Sequence, residues 1–446
     1  MSKKIIGVRE RPPLRQAIPL SIQHMFAMFG ASVLVPSLFH INPAVVLLMN
    51  GLGTLFFIFV TKAESPAYLG SSFAFIAPAI IVMTQHGDPF FPNYPANPTA
   101  EQVAQHMDAF SYAQGGFVAV GLLGCVLAAI VYKFGTNWID VILPPAAMGP
   151  VVALIGLELA GNAASTGGML PVNGASIDPK NFAVFAITLC VAVFGSVLFR
   201  KFLSVIPILI AIVCGYVAAC CFGLVNFTAM QEASVFSMPH FQIAKFDMNA
   251  ILTMIPVLLV ITSEHIGHQI VTSEIVGRNL LKDPGLHRSL LGDNFSTAIS
   301  GLIGSVPTTT YGENIGVMAI TKVYSVWVIG GAAALSILCS FIGKFSALIS
   351  TIPGPVIGGI SFLLYGMIGA SGLRILVDKK VDFGKARNQA LTAIVFVTGL
   401  SGISLNIGDV QLKGMVLACI VGMAMGILFY IFDRLHLTND QDEECE

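Results

Sequence analysis

Two polar stretches interrupt an otherwise apolar chain with glycine, hydroxyl side chains, proline and β-branched residues. They are Tyr68-Leu69-Gly70-Ser71-Ser72-Phe73-Ala74-Phe75-Ile76-Ala77-Pro78 and Ser305-Val306-Pro307-Thr308-Thr309-Thr310-Tyr311-Gly312-Glu313-Asn314. Extended backbone is tolerated at membrane depth only where protein or a polar cavity satisfies its amide groups. Because each stretch can do this for the other, we expect two short antiparallel strands, each leading into a half-helix whose N-terminus faces a cavity. The alternative is a pair of kinked helices.

The sequence around these stretches is that of an integral membrane protein. Of its 446 residues, 55% are hydrophobic and 11% are charged, whereas soluble domains carry about 25% charged residues. Apolar runs near the roughly 20 residues that cross a bilayer as a helix recur along the chain. They predict an all-α polytopic protein of fourteen transmembrane segments, with the polar stretches in segments 3 and 10. The segments centre on 16–38, 43–61, 69–84, 111–132, 139–159, 181–199, 203–223, 249–271, 287–304, 305–321, 325–343, 353–370, 388–404 and 412–432.

The distribution of Lys and Arg orients these segments. Basic residues accumulate in cytoplasmic loops, and a cytoplasmic N-terminus followed by alternating crossings places 19 of the 23 Lys and Arg residues inside. The 4 that fall outside are Lys180, Lys245, Lys344 and Lys413. We therefore expect both termini to be cytoplasmic, with the polar residues before Gln16 forming a cap rather than a cleaved signal.

Short internal matches indicate two related halves. Residues 21–24 match 262–265 at an offset of 241, and 70–73 match 311–314 at the same offset. A third match joins 143–149 to 352–358 at an offset of 209, and the polar loop 85–110 largely accounts for the difference. Seven segments per half is an odd number, so the second half enters the membrane from the opposite side. We therefore expect a 7+7 inverted repeat, with a site between the halves near the midplane.

Acidic and imidazole side chains inside the apolar segments are the candidate functional groups. Glu264 and Glu313 stand out, because an ionised carboxylate at bilayer depth costs at least about 2.5 kcal/mol. The alternative is a neutral or paired carboxyl that only ties helices together. His268 follows Glu264 by four residues, so on a helix the two side chains share a face and could hold and release a proton. His24 and His265 occupy matched positions, where ligand contact and structural hydrogen bonding are both open.

Other groups indicate structure, and several functional classes are excluded. Asp293 in the ninth segment and Glu158 near the extracellular end of the fifth are better explained by packing or an interface. No phosphate-binding loop, HExxH or GxSxG pattern is present, so the sequence predicts neither an enzyme nor ATP drive, and no cofactor or metal. A net charge of -1 without a basic stripe argues against a nucleic-acid partner.

Five stretches of the chain resemble the nucleobase cation symporter family, which includes the nucleobase-ascorbate transporters and the bacterial uracil permeases. They are Gly7-Val8-Arg9-Glu10-Arg11-Pro12-Pro13-Leu14, Gln23-His24-Met25-Phe26-Ala27-Met28-Phe29-Gly30-Ala31, Tyr68 to Phe75, Glu264-His265-Ile266-Gly267-His268, and Thr310-Tyr311-Gly312-Glu313-Asn314-Ile315-Gly316-Val317-Met318-Ala319. The resemblance covers essentially the whole chain.

This resemblance implies a division into two domains. Segments 1 to 4 and 8 to 11 would form a core domain at 1–135 and 249–350. Segments 5 to 7 and 12 to 14 would form a gate domain at 136–248 and 351–433, followed by an acidic cytoplasmic tail at 434–446. The resemblance also implies a homodimer through the gate domains, surrounded by lipid of the inner (plasma) membrane.

The resemblance further implies which residues bind the substrate between the two domains. They would be Phe73 and Gly312 through their backbone, Tyr311 beside the ring, Glu264 and Glu313 through their carboxylates, Ala31 in the first segment, and Tyr365 on the gate side. Proton coupling would involve Glu264, His268 and His24. Asp293 stands where similar uracil permeases have a neutral residue, which leaves open an effect on proton handling or on packing alone.

Together these features predict a proton-coupled symporter that imports uracil by alternating access. The ring N–H groups of uracil match carboxylate acceptors, and its carbonyl oxygens match exposed strand amides. A xanthine or purine permease of the same family stays open, because a larger cavity needs only small side-chain changes. An anion transporter of the same fold is also open, although two carboxylates would repel an anion. A nucleobase sensor is a third alternative, and it would need a reporting domain.

Overall fold

The structure is a computed structural model that describes residues 5–88, 98–170, 176–200, 203–408 and 410–438. Several predicted features lie outside the described residues: Lys3, Lys4 and Lys201 among the cytoplasmic basic residues, 89–97 of the polar loop, and 439–446 of the acidic tail. The described part is mostly α-helical, as the sequence predicts.

The first half of the chain folds into long apolar helices joined by short ones. Local signals set several of their starts: the side chain of Asn42 accepts a hydrogen bond from the Ala44 amide at 2.9 Å, directly before a helix that begins with proline. The described helices before residue 248 are α1 (Leu14–Ala27), α2 (Phe29–Leu38), α3 (Pro43–Val60), α4 (Ile76–Gln85), α5 (Ala100–Phe134), α6 (Asn137–Ile142), α7 (Pro145–Leu157), α8 (Ala160–Thr166), α9 (Pro179–Leu198), α10 (Pro207–Cys221) and α11 (Thr228–Glu232).

The second half repeats this pattern of long and short helices. Its described helices are α12 (Met248–Met254), α13 (Val257–Val276), α14 (Leu286–Leu302), α15 (Gly312–Thr321), α16 (Val326–Ser340), α17 (Gly343–Ser350), α18 (Gly354–Asp378), α19 (Ala386–Leu400) and α20 (Gly414–Arg434). Four short strands accompany the helices of both halves. They are β1 (Leu69–Ser71), β2 (Thr308–Thr310), β3 (Ser404–Ile407) and β4 (Val410–Lys413).

Eight helical segments in the described part of the chain are long and apolar enough to cross a bilayer. They are Leu14–Leu38, Pro43–Val60, Ala100–Phe134, Pro145–Thr166, Pro179–Leu198, Met248–Val276, Gly354–Asp378 and Gly414–Arg434. The shorter helices α4, α10 and α16 are also apolar. Each of the fourteen predicted segments overlaps one of the helices. The number of crossings stays a prediction.

Two expectations about the extramembrane parts are wrong. The polar loop predicted at 85–110 is helical from Ala100, because Thr99 and Gln102 form a capping box in which each side chain bonds the other's backbone amide. The fold class predicted only one pair of strands. The structure adds a second antiparallel pair, β3–β4, between α19 and α20.

The first pair of strands, β1 and β2, confirms the prediction made from the two polar stretches. The strands are antiparallel, with Leu69 opposite Thr310 and Ser71 opposite Thr308. Each strand leads into a helix of 10 residues, β1 into α4 and β2 into α15. The kinked-helix alternative is therefore wrong, because the backbone at this depth is paired between strands.

Long helices of the two halves pack against each other. Helix α3 packs against α14 and α16, and α5 packs against α14. Helix α7 packs against α18 and α19, and α9 packs against α18. Each of these contacts joins one half of the chain to the other. The inverted repeat stays a prediction.

Residues predicted to lie on the same side of the membrane come together at one end of the molecule. The carboxylate of Glu64 pairs with Arg9 and, at 2.6 Å, with Arg278. The amide of Ile6 donates to the carbonyl oxygen of Lys322 at 3.1 Å. The loops that follow α3, α13 and α15 therefore meet the N-terminal segment, as the alternation of crossings requires. Which side of the membrane this end faces stays a prediction.

The contact between α5 and α14 depends on the absence of a side chain at Gly121. A Cβ added there would lie 2.6 Å from the amide nitrogen of Ala298 and 2.7 Å from the carbonyl oxygen of Asn294. Both atoms belong to the backbone of α14, so neither can move without shifting the helix. The two helices therefore approach more closely than any other residue at this position would allow.

We predict that Gly121→Ala destabilises the protein by about 1–3 kcal/mol, because overpacking forces two helices apart. Gly161→Ala is the matched control, since a Cβ at Gly161 in α8 meets nothing within 4 Å. Thermal unfolding in detergent should show a lower midpoint for Gly121→Ala only. Equal midpoints for the two variants would contradict the packing described here.

Candidate functional site

The crossing of β1 and β2 is the centre of the candidate site. The three residues of each strand are buried, and the amide of Ser72 extends the pairing by donating to the carbonyl oxygen of Pro307 at 2.8 Å. Side chains of neighbouring helices satisfy further backbone groups: Thr54 accepts from the Leu69 amide at 2.9 Å, and Thr297 donates to the Thr308 carbonyl at 2.7 Å. The crossing is thus fixed from both halves of the chain.

Both half-helices begin at this crossing without a side-chain cap. Phe75 precedes α4 and Tyr311 precedes α15, and neither cap position has a side chain that accepts from the first turn. The first N–H groups of an α-helix have no partner within the helix, and the helix dipole adds partial positive charge there. The two helix starts therefore offer hydrogen-bond donors for carbonyl oxygens or other acceptors.

Three predicted aromatic residues come together beside the strands. The ring of Phe73 lies 6.5 Å from that of Tyr311 and 6.1 Å, edge-on, from that of Tyr365, measured between centroids. The Tyr311 hydroxyl donates to the carbonyl oxygen of Ser71 at 3.1 Å. A side chain at Gly70 would occupy the place of the Tyr311 ring, since its Cβ would lie 2.9 Å from two ring carbons. Glycine at position 70 therefore leaves room for the Tyr311 ring.

Tyr365 reaches the site from α18 because that helix lies very close to α7. A Cβ at Gly156 in α7 would lie 2.0 Å from the Tyr365 carbonyl oxygen, so the two backbones are in direct contact. Ala31 is buried and belongs to one apolar cluster with Met28, Tyr68 and Tyr311. The structure therefore places Ala31 in the same apolar cluster as Tyr311 and brings the ring of Tyr365 against that of Phe73.

The two predicted carboxylates are partly exposed on neighbouring elements. Glu264 lies on α13 and Glu313 in the first turn of α15, directly after Gly312. Within the described residues, neither forms an ion pair with Lys, Arg or His. Carboxylates inside a membrane protein that lack a basic partner are functional candidates by default. The structural alternative, a carboxyl that pairs to tie helices together, has no support in these contacts.

The expected contact between Glu264 and His268 is absent from this structure. The His268 Nδ1 atom instead lies 3.2 Å from the Thr310 hydroxyl in β2. Its other ring nitrogen, Nε2, lies 3.5 Å from the position that a Cβ on Gly312 would take. Four-residue spacing aligns the two side chains on one helix face, but the neighbouring strand offers His268 a hydroxyl. His268 therefore joins α13 to the start of α15.

The matched histidines have different partners. The His24 Nδ1 atom lies 3.1 Å from the Asn314 side-chain oxygen, one residue beyond Glu313. His265 pairs with Asp293, with 3.1 Å between Nδ1 and Oδ2. Glu158, whose carboxylate accepts from the Met415 amide at 2.8 Å, ties α7 to α20. Asp293 and Glu158 thus each join two helices, and their packing roles stay a prediction. Asn314 and Thr310 are polar contacts that sequence reasoning missed.

One face of the site is open. Gly312, Gly316 and Ile320 are exposed and follow one another at four-residue intervals along α15. On the facing helix α13, Gly267 and Glu274 are exposed as well. A side chain added at Gly267 or Gly316 would meet nothing within 4 Å. Exposed positions therefore follow one face of each of these two helices, from the level of the two carboxylates toward the helix ends.

Comparison with known proteins agrees with this geometry. The chain matches the Permease family over residues 15–408. It is 52% identical over 435 residues to the uracil permease of Escherichia coli strain K12, covering 98% of this chain and 96% of that protein. It is 49% identical over 443 residues to the uracil permease of Paenibacillus larvae, covering 99% and 100% of the two chains.

A solved structure shares the fold at low sequence identity. The murine anion transporter Slc26a9, Solute Carrier 26 family member A9, has a TM-score of 0.70 at 10% identity, covering 95% of this chain and 69% of that one. This likeness concerns the fold alone. The family and the two close relatives are transporters rather than enzymes, and the long apolar helices are those of an integral membrane protein. The chain belongs to the Permease family, which confirms the resemblance to nucleobase transporters that its motifs predict.

Proposed function

We propose that this protein is a proton-coupled symporter that imports uracil across the inner (plasma) membrane by alternating access. One observation carries the proposal: Glu264 and Glu313, which have no basic partner among the described residues, lie beside the uncapped start of α15. Acceptors and donors for hydrogen bonds thus stand together at the strand crossing. The names of the two close relatives support uracil as the ligand.

The chemistry of uracil matches this set of groups. Its ring N–H groups donate to carboxylates, and its carbonyl oxygens accept from amides such as those of Phe73 and Gly312. The flat ring fits beside aromatic side chains, which Phe73 and Tyr311 supply. Leaving one such buried group unpaired costs about 1–3 kcal/mol, so a base without the matching N–H or carbonyl would bind far more weakly.

Two neighbouring carboxylates also explain why a proton accompanies a neutral substrate. Their charges repel each other in a site partly shielded from water, and protonation of Glu264 removes that repulsion. One proton moving down a membrane potential of 100 mV supplies about 2.3 kcal/mol. Uracil itself carries no charge, so the proton couples its import to the gradient. Glu264, with His268 and His24 close to the same strands, forms the proposed proton-coupling group.

The proposed cycle includes an inward-open conformation in which the site is reached along α13 and α15. Lys322 directly follows α15 and Arg278 lies two residues after α13; both are cytoplasmic in the predicted topology. In the proposed cycle, the core domain at 1–135 and 249–350 moves against the gate domain at 136–248 and 351–433. Tyr365 on the gate side then covers the base. The gate domains also form the proposed homodimer interface.

Uptake into proteoliposomes tests the proposal and its purine alternative together. We expect radiolabelled uracil to accumulate when the outside is made acidic, to equilibrate without the pH difference, and to resist excess unlabelled xanthine. Gradient-independent uptake would make the protein a facilitator. Inhibition by xanthine would assign it to purines, and uptake of chloride or bicarbonate in place of uracil would favour an anion transporter.

Substitution of the two carboxylates separates binding from coupling. Glu313→Gln should weaken uracil binding by about 1.5–3 kcal/mol, which is roughly 10- to 100-fold in Kd, because a hydrogen bond to a charged group is lost. Glu264→Gln should abolish gradient-driven accumulation. The matched control is Glu232→Gln, at an exposed position in α11. Calorimetric binding and proteoliposome uptake measure the two effects; full accumulation by Glu264→Gln would remove the coupling role.

A further inference from the structure

His265 lies at the centre of a buried polar network that the proposed transport site does not use directly. It is fully buried on α13, and its partners are Asp293 and Ser289 on α14 and Thr310 in β2, each at most 3% exposed. The network therefore joins two long helices to the strand that leads into α15. None of these four side chains is predicted to touch the substrate.

The distances within the network define a chain of hydrogen bonds. The His265 Nε2 atom lies 2.9 Å from the Ser289 hydroxyl, and its Nδ1 atom lies 3.1 Å from Asp293 Oδ2. The Thr310 hydroxyl lies 3.3 Å from the same Nδ1 atom. It also lies 3.2 Å from Nδ1 of His268. Thr310 is thus shared between the two histidines.

Ser289 determines where one proton of His265 lies. A serine hydroxyl has a single proton, and Ser289 donates it to the carbonyl oxygen of Leu286 at 3.0 Å. In the proposed arrangement the serine keeps this bond, so its oxygen accepts from His265 and a proton lies on Nε2 of that ring. The assignment follows from the partners, because imidazole protons are inferred from such networks rather than observed.

Asp293 determines the protonation of the other ring nitrogen of His265, Nδ1. A carboxylate facing an unprotonated Nδ1 would set two acceptors against each other, so one proton must lie between Asp293 and His265. It rests either on the carboxyl oxygen or on the ring, and in both arrangements the pair is neutral overall. Such sharing lets a buried acid avoid the large cost of an unpaired charge. The other Asp293 oxygen, Oδ1, has no hydrogen-bond partner within the described residues, which strengthens its dependence on His265.

Thr310 transmits this arrangement to His268. In the proposed arrangement the shared proton rests on Nδ1 of His265, whose N–H then faces both Asp293 Oδ2 and the Thr310 oxygen, so Thr310 accepts there. A proton on the carboxyl would instead make Nδ1 an acceptor from Thr310. The threonine proton is then free to be donated to Nδ1 of His268. A neutral imidazole carries only one proton, so His268 keeps its own on Nε2. That nitrogen is the one that faces Gly312 at the start of α15.

We infer that His265, held by Asp293 and Ser289, is a positioning residue that fixes through the Thr310 hydroxyl the tautomer of His268, with the Nε2 proton on the side of Gly312. This inference rests on the proposed function for its consequence: a proton donor at the strand crossing, facing the uracil site. It gives Asp293 a role through proton placement, beyond the packing that its position in α14 predicts.

Transport by Thr310 variants tests the consequence. Thr310→Val keeps the shape of the side chain and removes both hydrogen bonds, whereas Thr310→Ser keeps the hydroxyl. We expect Thr310→Val to lower the maximal rate of gradient-driven uracil uptake by at least about tenfold, as misplaced catalytic groups do, with a much smaller change in KM. Exchange of internal for external uracil, which needs no net proton movement, should fall less. Thr310→Ser should restore the rate.

The matched control is Thr309→Val. Thr309 precedes Thr310 in the same buried strand, and its hydroxyl has no hydrogen-bond partner among the described residues. A general weakening of β2 by the loss of a hydroxyl would affect both valine variants alike. Equal maximal rates for Thr309→Val and Thr310→Val would therefore overturn the inference.

Nitrogen-15 spectra of the protein labelled at histidine, reconstituted in lipid, test the tautomer itself. The wild-type protein should show His268 protonated at Nε2 and His265 protonated at Nε2 as well, with Thr310→Val and His265→Asn altering the His268 signal. His268 protonated at Nδ1 in the wild-type protein would overturn the inference. This readout does not depend on transport, so failure of proton-driven uracil uptake in the wild-type protein would reject the proposed function separately.

Discussion

Backbone amides cannot be left unpaired inside a bilayer, and the rest of this structure depends on how the chain meets that constraint. Two short strands from opposite halves pair with each other, Leu69 opposite Thr310. Because the strands pair, the chain can be non-helical at this depth and begin a helix directly after each strand. Hydroxyls of Thr54 and Thr297 satisfy neighbouring backbone groups. A site made of helix ends can therefore exist at a depth where only continuous helices are otherwise stable.

The same constraint gives the site its chemistry. The helix starts at the crossing have no side-chain caps, and the first turn of α15 carries Glu313. Facing it, α13 contributes Glu264 and, through Thr310, anchors His268 to the strand. In the proposed function, substrate recognition and proton handling use groups that meet at the strand crossing. Movement of these groups together, relative to the gate side, would change the access of substrate and proton at the same time. Obligatory coupling of a proton to a neutral base requires such a joint change.

Local composition predicted the parts of this protein that depart from the continuous apolar helix usual in membrane sequences. Glycine and hydroxyls in apolar surroundings indicated the strands, and unpaired acids indicated Glu264 and Glu313. The partner of His268 could not be predicted, because helical spacing points to Glu264 whereas the strand pairing register brings Thr310 within reach. The hairpin of β3 and β4 was overlooked although 404–413 alternates and contains Gly408-Asp409, a turn signal. Residues 405–411 lie between the segments predicted at 388–404 and 412–432, and the sequence assigned no element to them.

Charge movement tests the central claim, that a proton crosses with each neutral base through the site at the strand crossing. Proteoliposomes adsorbed on a solid-supported membrane report charge translocation when uracil is added without any imposed gradient. The account predicts a transient current that carries positive charge in the direction of uracil movement, that grows with uracil concentration and that is lost in Glu264→Gln. Uptake of uracil by the same vesicles with no accompanying current would contradict it.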